Sequence, residues 1–167
     1  MKPKILHRGH VKKKLEGIFT TPLFFVISGM GSGKTTAVRE FLRKKRKIKY
    51  VWFSFERDMT EDIWLWVRFC KTLEKTDVQL GRRMLKYGIP QSALDMERLI
   101  HSISSVMETE TVVVLDDVQL CSSKLLKGVI EKVAAANIPM LHIVLISRKE
   151  PLENAYTLVD TGKAKMM

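Results

Sequence analysis

The chain has 167 residues, 46% of them hydrophobic, which is enough for one globular domain with a real core. Its formal charge of +11 suits an acidic partner such as nucleotide phosphates, nucleic acid or a membrane surface, and does not choose among them. Much of that charge lies in two runs, Lys12-Lys13-Lys14 and Arg43 to Lys49. Cys70 and Cys121 form no CxxC pair and no histidines cluster at metal-ligand spacing, which argues against zinc. The basic N-terminus lacks the apolar run of a signal peptide, and no stretch approaches a membrane span, so the expected location is the cytoplasm.

Four apolar runs rich in β-branched and aromatic residues follow in order: Leu23 to Ile27, Tyr50 to Phe55, Thr111 to Leu115 and Leu141 to Ile146. None alternates cleanly, so each is predicted to be a strand buried on both faces. Helical patterns separate them, over Thr35 to Lys45, Asp62 to Leu73, Met96 to Met107 and Lys124 to Ala136. Strands alternating with helices imply βαβ units, a largely parallel sheet and helices on both its faces. Glu74 to Ser92 is polar and contains Gly81, Gly88 and Pro90; it reads as a loop or short helices on the rim. Trp64 and Trp66 fall on a helical pattern and read as packing residues rather than a stacking platform. After Ile146 only weak strand signal remains, so residues 1–167 are expected to be one domain of a longer multidomain protein.

Ser28-Gly29-Met30-Gly31-Ser32-Gly33-Lys34-Thr35-Thr36 follows the first strand and opens a helix. It satisfies G-x-x-x-x-G-K-[ST] except at its first place, where Ser28 stands for Gly. Glycines let the backbone turn tightly and approach an anion, while successive N–H groups and the helix N-terminus supply positive potential. The candidate nucleotide-binding set is therefore Gly29, Met30, Gly31, Ser32, Gly33, Lys34, Thr35 and Thr36. Lys34 is expected to reach the β- and γ-phosphates of ATP, and Thr35 to coordinate Mg²⁺. Met30 needs no further function.

Val112 to Leu115 end in Asp116 and Asp117, and a buried strand would deliver both carboxylates to the carboxyl edge of the sheet. Asp116 is the candidate magnesium partner, and Asp117 the candidate that orients or deprotonates an attacking water. Without the upstream loop the pair would read equally well as a polar turn. Leu145-Ile146-Ser147-Arg148 repeats the design, with Arg148 the candidate sensor of a γ-phosphate and Ser147 a hydrogen-bonding neighbour.

These segments, with Tyr50-Val51-Trp52-Phe53-Ser54-Phe55-Glu56-Arg57-Asp58 and Ser147-Arg148-Lys149-Glu150-Pro151, resemble the nucleotide-binding domain of MalT-like, LuxR-type transcriptional activators of the STAND class. The resemblance covers nearly the whole chain. It implies a P-loop NTPase fold, three-layer α/β/α with a mostly parallel five-stranded sheet whose fifth strand is truncated here. It places the Ser-Arg strand between the P-loop strand and the Asp-Asp strand. It implies an ATP- or ADP-bound switch in which ATP favours a multimer, and it matches Ile5-Leu6-His7-Arg8 to a box lining the adenine pocket, with Arg8 its candidate contact. The family's sensor and DNA-binding domains have no counterpart here, so nothing supports direct DNA binding; self-association or other domains of a parent chain are the expected partners. A P-loop kinase or other phosphotransferase and a nucleic-acid-dependent ATPase are the alternatives. The kinase would need a lid, and Glu74 to Ser92 shows no clear lid arginines.

Overall fold

The computed structural model describes residues 8–167. Five strands, β1 (Leu23–Ile27), β2 (Lys49–Ser54), β3 (Thr111–Asp116), β4 (Leu141–Ser147) and β5 (Lys165–Met166), form one sheet in the order β2-β3-β4-β1-β5. Every pairing is parallel. Parallel neighbours need crossovers, and these are α2 (Lys34–Arg43), α3 (Asp62–Glu74), α4 (Val78–Tyr87), α5 (Ala93–Ser104), α6 (Lys124–Ala135) and α7 (Ala155–Asp160), with α1 (Arg8–Leu15) ahead of the sheet.

Successive strand residues point to opposite faces, and the core divides accordingly. Phe25, Val51, Phe53, Val113, Leu115, Ile143 and Leu145 pack with α3, α4, α5 and α6 on one face. Phe24, Val26, Val112, Val114, Val144 and Ile146 pack with α1 and α2 on the other. The result is a three-layer α/β/α domain. Strands β1, β3 and β4 are almost wholly buried, as their unbroken apolar runs require. Strand β2 differs from expectation: only Val51 and Phe53 are buried, because β2 is the sheet edge and its other face meets partial solvent.

The polar stretch 74–92, expected as a loop or short helices, has a short helix at its centre: α4, with Leu80, Gly81 and Met84 buried. Asp77 caps it by accepting from the Leu80 N–H at 3.0 Å. Gly81 serves packing: a Cβ there would lie 2.4 Å from the Glu74 nitrogen, so only glycine lets α4 close onto the end of α3. The two tryptophans separate, Trp66 entering the core and Trp64 standing 70% exposed. No described helix is long and apolar enough to cross a membrane.

Candidate functional site

Three adjacent strands, β3, β4 and β1, end at the same sheet edge and deliver the chemistry. Their ends line a cleft of ≈ 250 Å³ that includes Lys34, Thr35, Asp116, Asp117, Ser147 and Arg148. Open α/β sheets bind ligands at this edge, where neighbouring loops diverge. The central placement of β4 between β1 and β3 agrees with the expected strand order.

The loop after β1 turns at Gly31 and Gly33, with φ of 74° and 73°, left-handed values that a side chain resists. Gly29 does not share that requirement. Gly33 caps α2 with no side-chain hydrogen bond, so the first N–H groups of the helix remain available to an anion. Ser28, the departure from the motif, has a structural part: its Oγ shares a 2.6 Å hydrogen bond with Ser32 Oγ and ties the loop shut. The Lys34 ammonium folds over the loop. It donates to the carbonyls of Ser28 and Gly29, the latter at 2.8 Å, and to Ser32 Oγ at 3.2 Å. A phosphate would offer it a charged acceptor in place of these neutral ones.

Thr35 Oγ1 donates to Asp116 at 3.1 Å and 3.4 Å, joining the first turn of α2 to the end of β3. Asp116 is 5% exposed. Burial pushes its carboxyl above the ordinary value, and the neighbouring Asp117 charge pushes the same way. The Thr35 hydroxyl and the Asp117 N–H, at 2.9 Å, offset only part of this. The buried indole N–H of Trp52 acts in the same direction as these donors. Arg39 lies over the Trp52 ring at 4.5 Å.

Asp117 sits at φ 54°, ψ 39°, a left-handed conformation uncommon outside glycine, at the head of a 3₁₀ turn over Val118–Leu120. Its Oδ1 accepts from Gln119 Nε2 at 2.8 Å and lies 3.9 Å from the Arg148 guanidinium. Gln119 Oε1 in turn accepts from Ser147 Oγ at 3.2 Å and from the Arg148 N–H at 3.1 Å. Gln119 is the residue that motif reading missed. Its signal was local: an amide two residues beyond an acidic pair, able to accept from one strand end while donating to another.

A second, larger cavity of ≈ 600 Å³ adjoins the loop on the α1 side and shares Ser32, Gly33 and Lys34 with it. Its walls include Val11, Ala37, Phe41 and Met167, and it contains Thr36. The residues Ile5, Leu6 and His7 lie outside the described part of the chain, as does the side chain of Arg8.

No protein-family model matches the chain, and no curated protein matches it by sequence. Solved structures do. The Walker-type ATPase PABY2304 of Pyrococcus abyssi is 19% identical with a TM-score of 0.58, over 88% of this chain and 46% of that one. Drosophila ORC bound to AT-rich DNA and Cdc6 is 12% identical with a TM-score of 0.51, over 96% of this chain and 55% of that one. The chain thus spans about half the length of these proteins. The likeness establishes the fold: an α/β P-loop NTPase domain with a five-stranded, all-parallel sheet.

Proposed function

We propose that the cleft binds ATP with Mg²⁺, and that the chain is the nucleotide-operated switch module of a signal-transduction ATPase controlling transcription. The observation that carries nucleotide binding is the Thr35–Asp116 hydrogen bond, made at the mouth of a glycine loop that Lys34 crosses. The donor set suits magnesium: a hydroxyl and a carboxylate, both hard oxygen ligands. Thr35 and Asp116 would hold the ion, which would neutralise phosphate charge when bound. Gly29 to Thr36 would cradle the phosphates, and the larger adjoining cavity would take the base and ribose; the candidate role of Arg8 there draws on the resemblance alone. The regulatory part of the reading draws on the resemblance of the motifs to MalT-like activators, with self-association or further domains of a parent chain as partners in the cytoplasm.

Hydrolysis by this chain alone is slow or absent in this reading. One oxygen of Asp117, Oδ1, is engaged by Gln119 and faces Arg148, and the groups that would complete the site belong to neighbouring domains or subunits in this reading. The test of the binding assignment is Lys34→Ala. Losing one or two charge-assisted contacts weakens ATP–Mg by about 10- to 150-fold in calorimetry. An unchanged affinity in the folded variant overturns the assignment.

A second reading has one observation of its own. Lys12, Lys13, Lys14, Arg43, Lys44, Arg46 and Lys47 are all exposed and belong to α1, the α2 end and the loop after it. A nucleic-acid-dependent ATPase would use such a face for phosphate contacts, and its binding to short DNA or RNA would fall steeply with salt. Absence of salt-dependent binding removes this reading and leaves the first intact.

A further inference from the structure

We propose that Gln119 is a positioning residue that couples the γ-phosphate end of the cleft to Asp117, an inference that rests on the reading of the cleft as an ATP–magnesium site. The case begins with the polarity of the amide. Oε1 accepts two hydrogens from the β4 end, those of Ser147 Oγ and the Arg148 N–H, while Nε2 donates to the Asp117 carboxylate. Reversing the amide would set NH₂ against the Arg148 N–H and a carbonyl oxygen against a carboxylate, so one orientation satisfies all three contacts. Few side chains of this reach offer an acceptor on one arm and a donor on the other. Glutamate lacks the donor, and leucine or methionine lack both.

The mount is rigid. Gln119 rides on the 3₁₀ turn, where Val118 is fully buried and the N–H groups of Leu120 and Cys121 close onto Asp117 and Val118, each at 2.9 Å. Asp117 itself is fixed in a left-handed conformation by that turn. The two grips on its carboxylate are unequal, 2.8 Å from Gln119 and 3.9 Å from Arg148. The arginine is therefore the partner free to swing toward an arriving anion, and the glutamine is the one that keeps hold. A phosphate that draws the Arg148 guanidinium away leaves Asp117 held by the amide alone, whose other arm is anchored on the β4 end beside that same phosphate. Sensing of the third phosphate and placement of the candidate water-orienting group become one event.

The test compares the affinities of a non-hydrolysable ATP analogue and of ADP, both with magnesium, by calorimetry. Gln119→Met keeps length and neutrality and removes both arms. Its ADP affinity is expected to stay at the wild-type value, and its preference for the triphosphate to fall about 3- to 10-fold. Combined with Arg148→Ala, it causes no further fall, because both substitutions cut the same connection. Gln119→Glu also loses preference, having no hydrogen to give Asp117. Asp117→Asn/Gln119→Glu restores the wild-type ratio, since the introduced amide donates to the introduced carboxylate and net charge is conserved. A preference unchanged in Gln119→Met, additive losses with Arg148→Ala, or no recovery in the double exchange overturns the coupling. If Gln119→Met does not fold, the Gln119→Glu and double-exchange pair decides alone. A wild-type chain that binds neither nucleotide, or a Lys34→Ala protein that binds both as well as wild type, instead overturns the underlying ATP reading.

Discussion

Asp77 and Asp116 are 9% and 5% exposed, and their surroundings pull the two carboxyls in opposite directions. Burial by itself pushes Asp77 up. The Leu80 N–H and the Lys49 ammonium, each at 3.0 Å, together with the Gln79 N–H, outweigh it and hold the group below the ordinary value. Asp116 receives one hydroxyl and one N–H, sits beside a second carboxylate, has no cation bonded to it among the described residues, and is held above the ordinary value. The first carboxylate is finished by the fold: it caps a helix and pairs with the edge strand. The second is left short of positive charge at the one place where three strand ends meet a glycine loop. A buried acid that the chain does not neutralise is a better pointer to a bound cation than the acid alone.

The frame around Asp77 is where substitutions cost most stability. Gly81→Ala places a methyl group against the Glu74 backbone and is expected to destabilise the fold by about 2–3 kcal/mol, read as a lowered denaturation midpoint. Retention of wild-type stability there would mean that α3 and α4 do not close as tightly as described.

Asp77→Ala removes the cap and leaves Lys49 unpaired. The Lys49 side chain is 40% exposed, so screening trims its share, and the expected loss is about 1–2 kcal/mol. Its pH dependence has a definite sign. A carboxyl lower in the folded than in the unfolded chain contributes fully above the ordinary carboxylate value, and that contribution disappears as pH falls through the folded value. Thermal melts of the wild type should therefore lose stability on the acid side, and the difference from Asp77→Ala should shrink there. A difference that stays constant with pH would remove the charge from the account.

Asp116→Asn sharpens the contrast with the smallest stability effect. It relieves a buried, under-neutralised charge and keeps an acceptor for Thr35, so stability is expected to be unchanged or raised by at most about 1 kcal/mol. A loss as large as that of Asp77→Ala would show that both acids are structural.

The strands that carry the cleft were legible because burial on both faces leaves unbroken apolar runs, and β1, β3 and β4 begin where those runs begin. The phosphate loop was legible because its glycines and Lys34 answer a local demand of the backbone. Strand β2 was harder, since an edge position mixes Lys49 and Tyr50 with buried Val51 and Phe53. Helix α4 was legible only as one of two options, loop or short helices, because Gly81 in sequence signals a break and in space permits two helices to touch. Gln119 was hidden for another reason. Its three partners lie on two strand ends, and only the order β3-β4-β1 brings Asp117 and Ser147 to either side of one amide.

The central claim is that Asp116 and Thr35 are held ready for a cation that arrives with a nucleotide. The most direct measurement is a titration of ATP into the wild-type chain with magnesium and again with the metal chelated, repeated on Asp116→Asn. The account predicts one saturable site whose affinity falls on chelation in the wild type, and an Asp116→Asn protein that is equally stable yet nearly indifferent to the metal. Binding that ignores magnesium in the wild type, or an unchanged magnesium dependence in Asp116→Asn, would contradict it.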